Sequence, residues 1–273
     1  MTELSINVEL VAGILTEFIR DEVLKVGSRG VVVAISGGID SACAAQLAVA
    51  ALGKGAVTGL ALPYRESAAS SLEDGRLVAS QLGIELLVIE ITPQIDAYFS
   101  RFPEADATRR GNKMARERMS ISYDISATRN ALVLGTSNKS ELLLGYSTLW
   151  GDGAHALNPL GDLYKTQLFQ LARHLGLPPR IIDKAPSADL FAGQSDEADL
   201  GFTYQQADRI LFHLVDERRS PAELTDLGLD PALVKLIWQR VRTSQFKRRP
   251  PLIAKLSRRS VGQDFRYPRD WGH

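Results

Sequence analysis

The sequence predicts an α/β fold in which a Rossmann-like, doubly wound parallel sheet is flanked by helices, with a mostly helical C-terminal part. From residue 31 onward, short apolar runs alternate with segments of helical periodicity, which is the pattern of parallel strands joined by covering helices. The third and fourth runs, 84–91 and 131–136, show no polar alternation, so we expect both strands to be covered on two faces. After residue 160 the pattern is mostly helical.

The predicted elements begin with a helix inside residues 1–30. This stretch carries acids and an amphipathic period, whereas a signal peptide would start with basic residues and continue with an unbroken apolar run. Strands are then predicted at 31–35, 56–63, 84–91 and 131–136. Helices are predicted between them at 41–53, 71–83 and 111–130. Two long polar loops, 63–72 and 185–202, are expected to cover a site and to exclude water from it.

Composition and charge indicate one folded domain over residues 1–273. The chain is 45% hydrophobic and 23% charged, ordinary values for a globular protein that is long enough to bury a sizeable core. Its 32 Lys and Arg balance 32 Asp and Glu, so we expect no nucleic-acid partner of the kind that binds a broad basic surface. No window approaches the roughly 18 apolar residues of a membrane span, and no membrane partner is expected. The single Cys43 leaves no disulfide within the chain and suits a reducing, cytoplasmic location.

The C-terminal tail, residues 238–273, is strongly basic. It holds ten Lys or Arg against two acids, Asp264 and Asp270. One interpretation is a solvated tail that is balanced by acids elsewhere, and the other is a basic flap over a phosphate-bearing ligand. The prolines and aromatic residues of the tail favour docking onto the same domain over a free polybasic arm.

The segment VVVAISGGIDSA (31–42) ends its predicted strand in Ser36-Gly37-Gly38 and then opens a helix. In this geometry backbone N–H groups and the positive end of the helix dipole meet an anion. The two glycines let the chain approach closely and turn sharply, while the hydroxyls of Ser36 and Ser41 add donors. We therefore predict a phosphate-binding loop, the alternative being a purely structural turn.

Asp40 indicates a metal ion at this loop. Its carboxylate would repel bound phosphates unless a divalent cation lay between them, so we interpret Asp40 as a Mg²⁺ ligand. The kinase-type G-x-x-x-x-G-K-[ST] motif occurs nowhere, and no G-x-G-x-x-G follows the first predicted strand. The loop therefore belongs to a different type.

The motif Ser-Gly-Gly-x-Asp-Ser at 36–41 resembles the pyrophosphate loop of the N-type ATP pyrophosphatases, which activate a carboxylate or carbonyl as an adenylate. Three further segments resemble the NAD synthetases: NKMARERM (112–119), GTSNKSELLLGYSTLWGDGAHALNPLGDLYKTQLFQLARHLGLP (135–178) and PSADLFAGQSDEADLGFTY (186–204). They lie in that family's order and, with the loop, cover most of residues 31–205. The resemblance implies a homodimeric ligase that converts nicotinic acid adenine dinucleotide (deamido-NAD), ATP and ammonia into NAD, AMP and pyrophosphate through an adenylate.

The resemblance also implies which residues form the site. ATP would be bound by Ala34, Ile35, Ser36, Gly37, Gly38, Ile39, Asp40, Ser41, Thr136, Lys165 and Ser187. Asp40 and Glu141 would hold Mg²⁺, and Lys165 would act with Asp40 in catalysis by offsetting charge on the phosphates. From the residues alone, Thr136 is equally a residue near a helix N-cap, and Glu141 an ordinary acid in a first helical turn.

Arg116 is implied as a substrate-binding residue, and Lys247 as a second contact with the substrate. Without the resemblance, Arg116 and its basic neighbours would equally form a solvated helix face. The same helix is the candidate dimer contact, through Met114, Met119, Ile121 and Tyr123. The alternative is that these side chains pack in the core of one chain. The chain departs from some family members at three positions that bear on the nicotinate ribose side, namely Leu149, Ala156 and Phe246.

Glutamine-dependent synthetases of this family carry an amidase domain roughly as long as this whole chain, with a Cys nucleophile. Only about 30 residues precede the first predicted strand here, and the lone Cys43 lies just behind the phosphate loop, so free ammonia is the expected nitrogen donor. A separate glutaminase subunit that supplies the ammonia stays open as the alternative. Asp152 is the candidate base for the attacking ammonia. The four histidines lack metal-ligand spacing and receive no role. Two other interpretations stay open: another adenylating ATP pyrophosphatase, such as a tRNA-thiolating enzyme, and a protein that senses adenylates without turnover.

Overall fold

A four-stranded parallel sheet forms the centre of the fold in a computed structural model that describes residues 3–187, 194–262, 264 and 265. Its strands are β1 (Val31–Ala34), β2 (Val57–Ala61), β3 (Glu85–Val88) and β4 (Leu132–Leu134). They are ordered β3-β2-β1-β4, and each neighbouring pair is parallel. In this register Val31 lies opposite both Val57 and Leu132. The parallel sheet with its connecting helices confirms the predicted α/β fold class.

The helices before the fourth strand are α1 (Val8–Lys25), α2 (Ile39–Leu52), α3 (Ala69–Leu82), α4 (Thr92–Phe99) and α5 (Ala107–Arg129). Those after it are α6 (Lys139–Leu144), α7 (Lys165–His174), α8 (Pro179–Ile182), α9 (Asp196–Leu200), α10 (Tyr204–Leu211), α11 (Pro221–Asp226) and α12 (Pro231–Thr243). Short 3-10 helices cover Lys54–Ala56 and Gln245–Arg248, and a π-helical turn covers Phe212–Asp216. Among the described residues, no helix is long and apolar enough to cross a membrane.

Side chains of β1 point alternately to the two faces of the sheet, as strand geometry requires. Val31 and Val33 pack into a first core with buried residues of α1, α2, α3 and α7. Val32 faces the opposite side and packs into a second core with α4 and α5. A third core, built by α6, α10 and α12 and including Tyr164, lies beside the sheet and accounts for the helical C-terminal part.

The strand order places a crevice at the carboxyl end of β1. From β1 the chain builds β2 and β3 on one side, and it then passes through α4 and α5 to place β4 on the other side of β1. In doubly wound sheets, ligands bind outside the carboxyl ends of the strands at the point where the strand order reverses. Here that point is the end of β1, where Ser36-Gly37-Gly38 lies.

Several expectations about individual elements were wrong. Segment 84–91 does not form a strand covered on two faces, because the side chains of Glu85 and Val88 in β3 are exposed, Val88 by 42%. Helix α4 was not predicted, although Pro93 in its first turn is a common helix-start signal. Helix α9 lies inside the predicted loop 185–202, of which residues 188–193 fall outside the described part of the chain. The four predicted strands are each longer than the observed ones by one to four residues.

Candidate active site

A cavity of about 1060 Å³ opens at the carboxyl end of the sheet. Its apolar wall comes from the ends of β1, β2 and β4 and includes Leu60, Leu62 and Leu134. Charged and hydroxyl side chains converge on the opposite part of the lining. A mainly apolar pocket with a few convergent polar groups is the usual form of a small-molecule site.

The phosphate loop is held in shape by its own hydroxyls. The backbone N–H of Ser36 donates to Ser41 Oγ at 3.2 Å, and that hydroxyl donates to the carbonyl of Gly38 at 3.0 Å. The N–H of Gly38 donates to Ser36 Oγ at 3.3 Å. Since α2 begins at Ile39 and Gly38 supplies no capping side chain, the first amides of this helix are directed toward the cavity end of β1.

Gly37 is required by both conformation and space. Its φ is +77°, in the region that favours glycine, and a Cβ at this position would lie 2.4 Å from the carbonyl oxygen of Ser71 and 2.9 Å from Asp74 Cβ. The loop is therefore pressed against α3. No residue with a side chain could take this place without moving the loop.

Three charged residues from three helix starts meet beside the loop. Asp40 stands in the first turn of α2, Glu141 in the first turn of α6, and Lys165 at the first position of α7. Lys165 Nζ lies 2.5 Å from Asp40 Oδ2 and 3.5 Å from Glu141 Oε1. Because Lys165 is 1% exposed, its charge depends on these two carboxylates.

The electrostatics of this group are strongly coupled. Burial disfavours the ammonium of Lys165, but the carboxylates of Asp40 and Glu141 outweigh it and raise the pKa of Lys165 above its usual value. Burial and then the charge of Asp40 raise the pKa of Glu141 to about 8, against the opposing effect of Lys165. Two carboxylates thus share one cation, and they have capacity for further positive charge.

Asn138 ties the two carboxylates together. It is the N-cap of α6 and is fully buried. Its Nδ2 donates to Asp40 Oδ1 at 2.8 Å, and its Oδ1 accepts from the N–H of Glu141 at 3.0 Å. Its own N–H donates to Glu141 Oε2 at 3.2 Å, which completes a capping box. One residue therefore orients both Asp40 and Glu141.

Asp208 holds the starts of α6 and α7 against α10. Its Oδ1 accepts from Ser140 Oγ at 2.5 Å and its Oδ2 accepts from the N–H of Thr166 at 2.8 Å. Ser140 Oγ in turn accepts from the N–H of Lys165 at 2.9 Å. Sequence reasoning missed both Asn138 and Asp208. The N-x-x-E spacing of Asn138 and Glu141 is a local capping signal, whereas no local signal marks Asp208.

Most of the predicted site residues line this one cavity. They are Ala34, Ile35, Ser36, Gly38, Ile39, Asp40, Ser41, Thr136, Glu141, Asp152, Lys165, Ser187 and Lys247. Gly37 lies in the same loop, behind the lining, with its backbone against α3.

Arg116 lies outside the lining that the described residues form. It is exposed, and its Nε donates to the carbonyl of Leu149 at 3.2 Å. Arg118, two positions further along α5, faces the cavity instead, and its Nε donates to the carbonyl of Leu62 at 2.9 Å. Within one chain, Arg116 is therefore not brought together with the other predicted residues.

Lys247 and Asp152 both line the cavity and interact electrostatically. Lys247 Nζ donates to the carbonyls of Gly145 at 2.7 Å and Ser147 at 2.6 Å, so it caps the end of α6 while lining the cavity. Burial lowers the pKa of Lys247, and the charge of Asp152 opposes this. Asp152 Oδ1 accepts from the N–H of Thr148 at 2.8 Å. Asp152 is exposed at the cavity, and desolvation by the protein packed around it raises the pKa of its carboxyl.

The donors at the loop fit a magnesium ion. Asp40 and Glu141 offer carboxylate oxygens, and Mg²⁺ at phosphate sites is usually held by one or two carboxylates together with phosphate oxygens. Within the described ranges, no group of three or more His, Cys, Asp or Glu residues is arranged to hold a metal. The pair is thus suited to an ion that a phosphate ligand helps to bind, and a closed all-protein cage is not formed by these residues.

The fold and this cavity define a class, a nucleotide-binding α/β protein in which a glycine loop, a carboxylate pair and a buried lysine handle phosphate groups. The chain belongs to the NAD synthase family, whose model matches residues 11–251. It is 53% identical over 272 residues to the NH(3)-dependent NAD(+) synthetase of Trichlorobacter lovleyi, covering 100% of both chains.

Two solved structures have the same fold. The NH3-dependent NAD synthetase from Campylobacter jejuni in complex with the nitrate ion matches with a TM-score of 0.79 and 36% identity, covering 92% of this chain and 100% of that one. The NMN synthetase from Francisella tularensis matches with a TM-score of 0.82 and 32% identity, covering 92% of this chain and 99% of that one. Neither of the open alternatives, a thiolating enzyme or a silent sensor, is favoured by these relatives.

Proposed function

We infer that this chain catalyses the ATP-dependent amidation of deamido-NAD with ammonia, giving NAD, AMP and pyrophosphate. One observation carries the proposal: Asp40, Glu141 and Lys165 converge beside the glycine loop in a single cavity. Two relatives support this proposal, because they are 53% and 51% identical to this chain over 97% or more of their own length.

In the first step the carboxylate of the nicotinate ring attacks the α-phosphorus of ATP. A C–O–P linkage forms, the bond from the α-phosphorus to the bridging oxygen breaks, and pyrophosphate leaves with that electron pair. The amides at the start of α2 and the hydroxyls of Ser36 and Ser41 bind the departing oxygens. Lys165 supplies fixed positive charge that needs no rearrangement during the step, because Asp40 already orients it.

We propose that Asp40 and Glu141 hold Mg²⁺ when ATP is bound. The ion supplies positive charge against the phosphate oxygens. Asn138 keeps both carboxylates in place for it. Burial and the charge of Asp40 raise the pKa of Glu141, and a cation between the two carboxylates would oppose this effect.

In the second step ammonia attacks the carbonyl carbon of the adenylate. The new C–N bond forms as AMP leaves with the former carboxylate oxygen, and the nitrogen gives up one proton. We propose Asp152 as the group that accepts it. Its desolvated carboxyl has a raised pKa, which brings a carboxylate closer to the range in which general bases work.

We propose that Lys247 and Arg116 contact the acid substrate, Lys247 within the cavity and Arg116 from the outer face of α5. An exposed binding residue is reasonable in a homodimer, where a second copy adds to the site. The exposed part of α5 available for this contact includes Tyr123, which is 38% exposed, whereas Met114 is buried in the second core. We further propose a cytoplasmic location, which suits the free buried thiol of Cys43.

We propose that residues 1–273 form a single domain on which the basic tail docks. Lys247 and Arg248 support this, since both donate to backbone carbonyls near the end of α6. Arg248 reaches the carbonyls of Leu142 and Leu143 at 2.9 and 2.8 Å. Further along the tail Arg249, Lys255, Arg258 and Arg259 are exposed, and the basic residues at 266 and 269 lie outside the described part of the chain.

The test is an assay with purified protein, ATP, Mg²⁺ and ammonium, in which NAD is detected by nicotinamide-specific reduction. Deamido-NAD is compared with nicotinic acid mononucleotide, because the chain also resembles a structure named an NMN synthetase. We expect NAD and AMP in equal amounts, faster with ammonium than with glutamine. No NAD at any ammonium concentration, or faster amidation of the mononucleotide, would overturn the proposal. Asp40→Asn should abolish turnover, whereas Asp226→Asn, at an exposed position outside the cavity, should not.

A further inference from the structure

Lys184 lines the cavity next to the phosphate loop, but the reaction described above gives it no role. It follows α8 and opens the segment that continues to Ser187. Its Nζ lies 2.8 Å from Asp74 Oδ2 and 3.3 Å from Ser71 Oγ, so the ammonium is held on α3.

The two residues that hold Lys184 are the two that press on Gly37. A Cβ at Gly37 would meet the carbonyl of Ser71 and Cβ of Asp74 at less than 3 Å, so both lie in direct contact with the loop backbone. The ammonium of Lys184 is therefore bound to the same two residues that contact the loop, and the amides of that loop are the ones we propose to bind an anion. Lysine is a compact charge on a flexible stem, and a modest rotation moves such a group between neighbouring acceptors.

Asp74 has a second cation beside Lys184. It is 2% exposed and is also paired with Arg180, whose Nε lies 2.6 Å from Asp74 Oδ1. Arg180 is exposed and lies outside the cavity lining that the described residues form. Of the two cations on one buried carboxylate, only Lys184 faces the ligand space, with 28% of its side chain accessible.

We propose that Lys184 is a second phosphate-binding cation of this site. When the triphosphate or pyrophosphate is bound, the ammonium turns from Asp74 to the phosphate oxygens, while Arg180 keeps Asp74 paired. Lys165 then approaches the phosphates from α7 and Lys184 from the wall that α3 and the residues after α8 form. This inference rests on the proposed function, in which the loop at Gly37 holds the pyrophosphate part of ATP.

The role is chemically distinct from that of Lys165. Lys165 is buried between two carboxylates, which fix its position and compensate its charge before ATP arrives. Lys184 shares one carboxylate with Arg180, a cation that also pairs with Glu73 at 3.1 Å, so less of its charge is compensated than that of Lys165. A cation of this kind strengthens binding of the leaving group, and it acts on ATP and pyrophosphate more than on the acid substrate.

The experiment compares Lys184→Met with Arg180→Met, since both variants remove one cation from Asp74. Inorganic pyrophosphate binding is measured by calorimetry with Mg²⁺ present, together with the KM for ATP and for deamido-NAD and the melting temperature. We expect Lys184→Met to weaken pyrophosphate binding by about tenfold and to raise the KM for ATP similarly, with the KM for deamido-NAD unchanged. Arg180→Met keeps the ammonium that faces the cavity and should weaken pyrophosphate binding by a smaller factor than Lys184→Met, because Lys184 must then turn away from an Asp74 that has lost Arg180. Lys184→Arg should recover part of the loss.

Equal pyrophosphate affinities for Lys184→Met and Arg180→Met would overturn the proposal and leave Lys184 as a partner of Asp74 only. If Lys184→Met does not fold, Lys184→Gln is compared with Arg180→Gln in the same way. A wild-type protein that makes no NAD would refute the proposed function itself. If the wild type makes NAD but Lys184→Met and Arg180→Met bind pyrophosphate with equal affinity, only the role of Lys184 is refuted.

Discussion

Asn138 Nδ2 donates a hydrogen bond of 2.8 Å to Asp40 Oδ1, so the residue that caps α6 also fixes the carboxylate at the start of α2. The two positions are 98 residues apart in the chain. The start of one helix thus sets the direction of a charged group on another, and it does so at the point where we propose Mg²⁺ to bind.

Asn138→Ala should raise the Mg²⁺ concentration needed for half-maximal activity by about tenfold or more, the usual effect of removing a partner that orients a metal ligand. The variant loses both the bond to Asp40 and the cap on α6. Magnesium titration of the initial rate, with calorimetry of Mg²⁺ and pyrophosphate binding, provides the measurement. Asn7→Ala is the control, because Asn7 caps α1 in the same manner, through Leu10 N–H at 3.1 Å. Similar magnesium curves for the two variants would show that Asn138 acts only as a cap.

Gly37→Ala should nearly abolish ATP binding. The substitution places a Cβ 2.4 Å from the carbonyl of Ser71 at a φ of +77°, so the loop must move away from α3. We expect a stability loss of about 1–3 kcal/mol and a KM for ATP beyond the measurable range. Gly55→Ala serves as the control, since nothing lies within 4 Å of a Cβ there. Normal ATP kinetics in Gly37→Ala would mean that the loop has another conformation when it works.

Asp208→Ala should destabilise the fold and lower kcat together. The change leaves the Ser140 hydroxyl and the Thr166 N–H without their buried acceptor, at a cost of about 2–5 kcal/mol. The starts of α6 and α7 then lose their common support, and with them the spacing of Glu141 and Lys165. Urea unfolding and steady-state rates at low temperature measure the two effects separately.

The control for Asp208 is Asp230→Ala. Asp230 caps α12 through the N–H of Ala232 at 2.9 Å, and its loss should lower stability by about 1 kcal/mol with kcat unchanged. An Asp208→Ala variant with full kcat at a temperature where it is folded would contradict a positioning role.

His155 should make stability depend on pH. Its Nδ1 is buried with no hydrogen-bond partner among the residues that the structure describes, and burial lowers the pKa of His155 below its usual value. Between the two pKa values, the unfolded chain therefore binds a proton at His155 and the folded chain does not. Stability is full above the pKa of the unfolded state, near 6.5, and falls as the pH drops through it toward the lower folded value.

The measurement is urea unfolding of the wild type and His155→Gln at pH 7.5 and 5.5. The wild type should lose more stability between these values than the variant, by at most about 1.4 kcal/mol per pH unit for one proton. Parallel curves would show that His155 is protonated as readily in the folded state as in the unfolded chain.

The sequence predicted the parts of the site that depend on local pattern. The strand at 31–34, the glycine turn and the helix start after Gly38 lie within a dozen residues, and their geometry follows from residue type. Asp208 was not predictable in this way, because its partner Ser140 is 68 residues away and a buried aspartate looks like any other in the sequence. The same holds for Lys184, whose position beside Gly37 depends on how α3 and α8 pack.

The edge position of β3 shows a second limit. An apolar run reads alike in a central strand and in an edge strand, and only the strand order β3-β2-β1-β4 decides which one it becomes. Arg116 shows a third limit. The motif assigns Arg116 to the site, whereas in the single chain its side chain lies on the exposed face of α5 and bonds to the carbonyl of Leu149.

The meeting of helices from different cores has a consequence for half-folded molecules. Asp40 comes from a helix packed in the first core, whereas Glu141 comes from α6, which packs in the third. A chain whose third core has not packed does not hold α6 beside α2, so the pair of carboxylates is incomplete until both cores have formed.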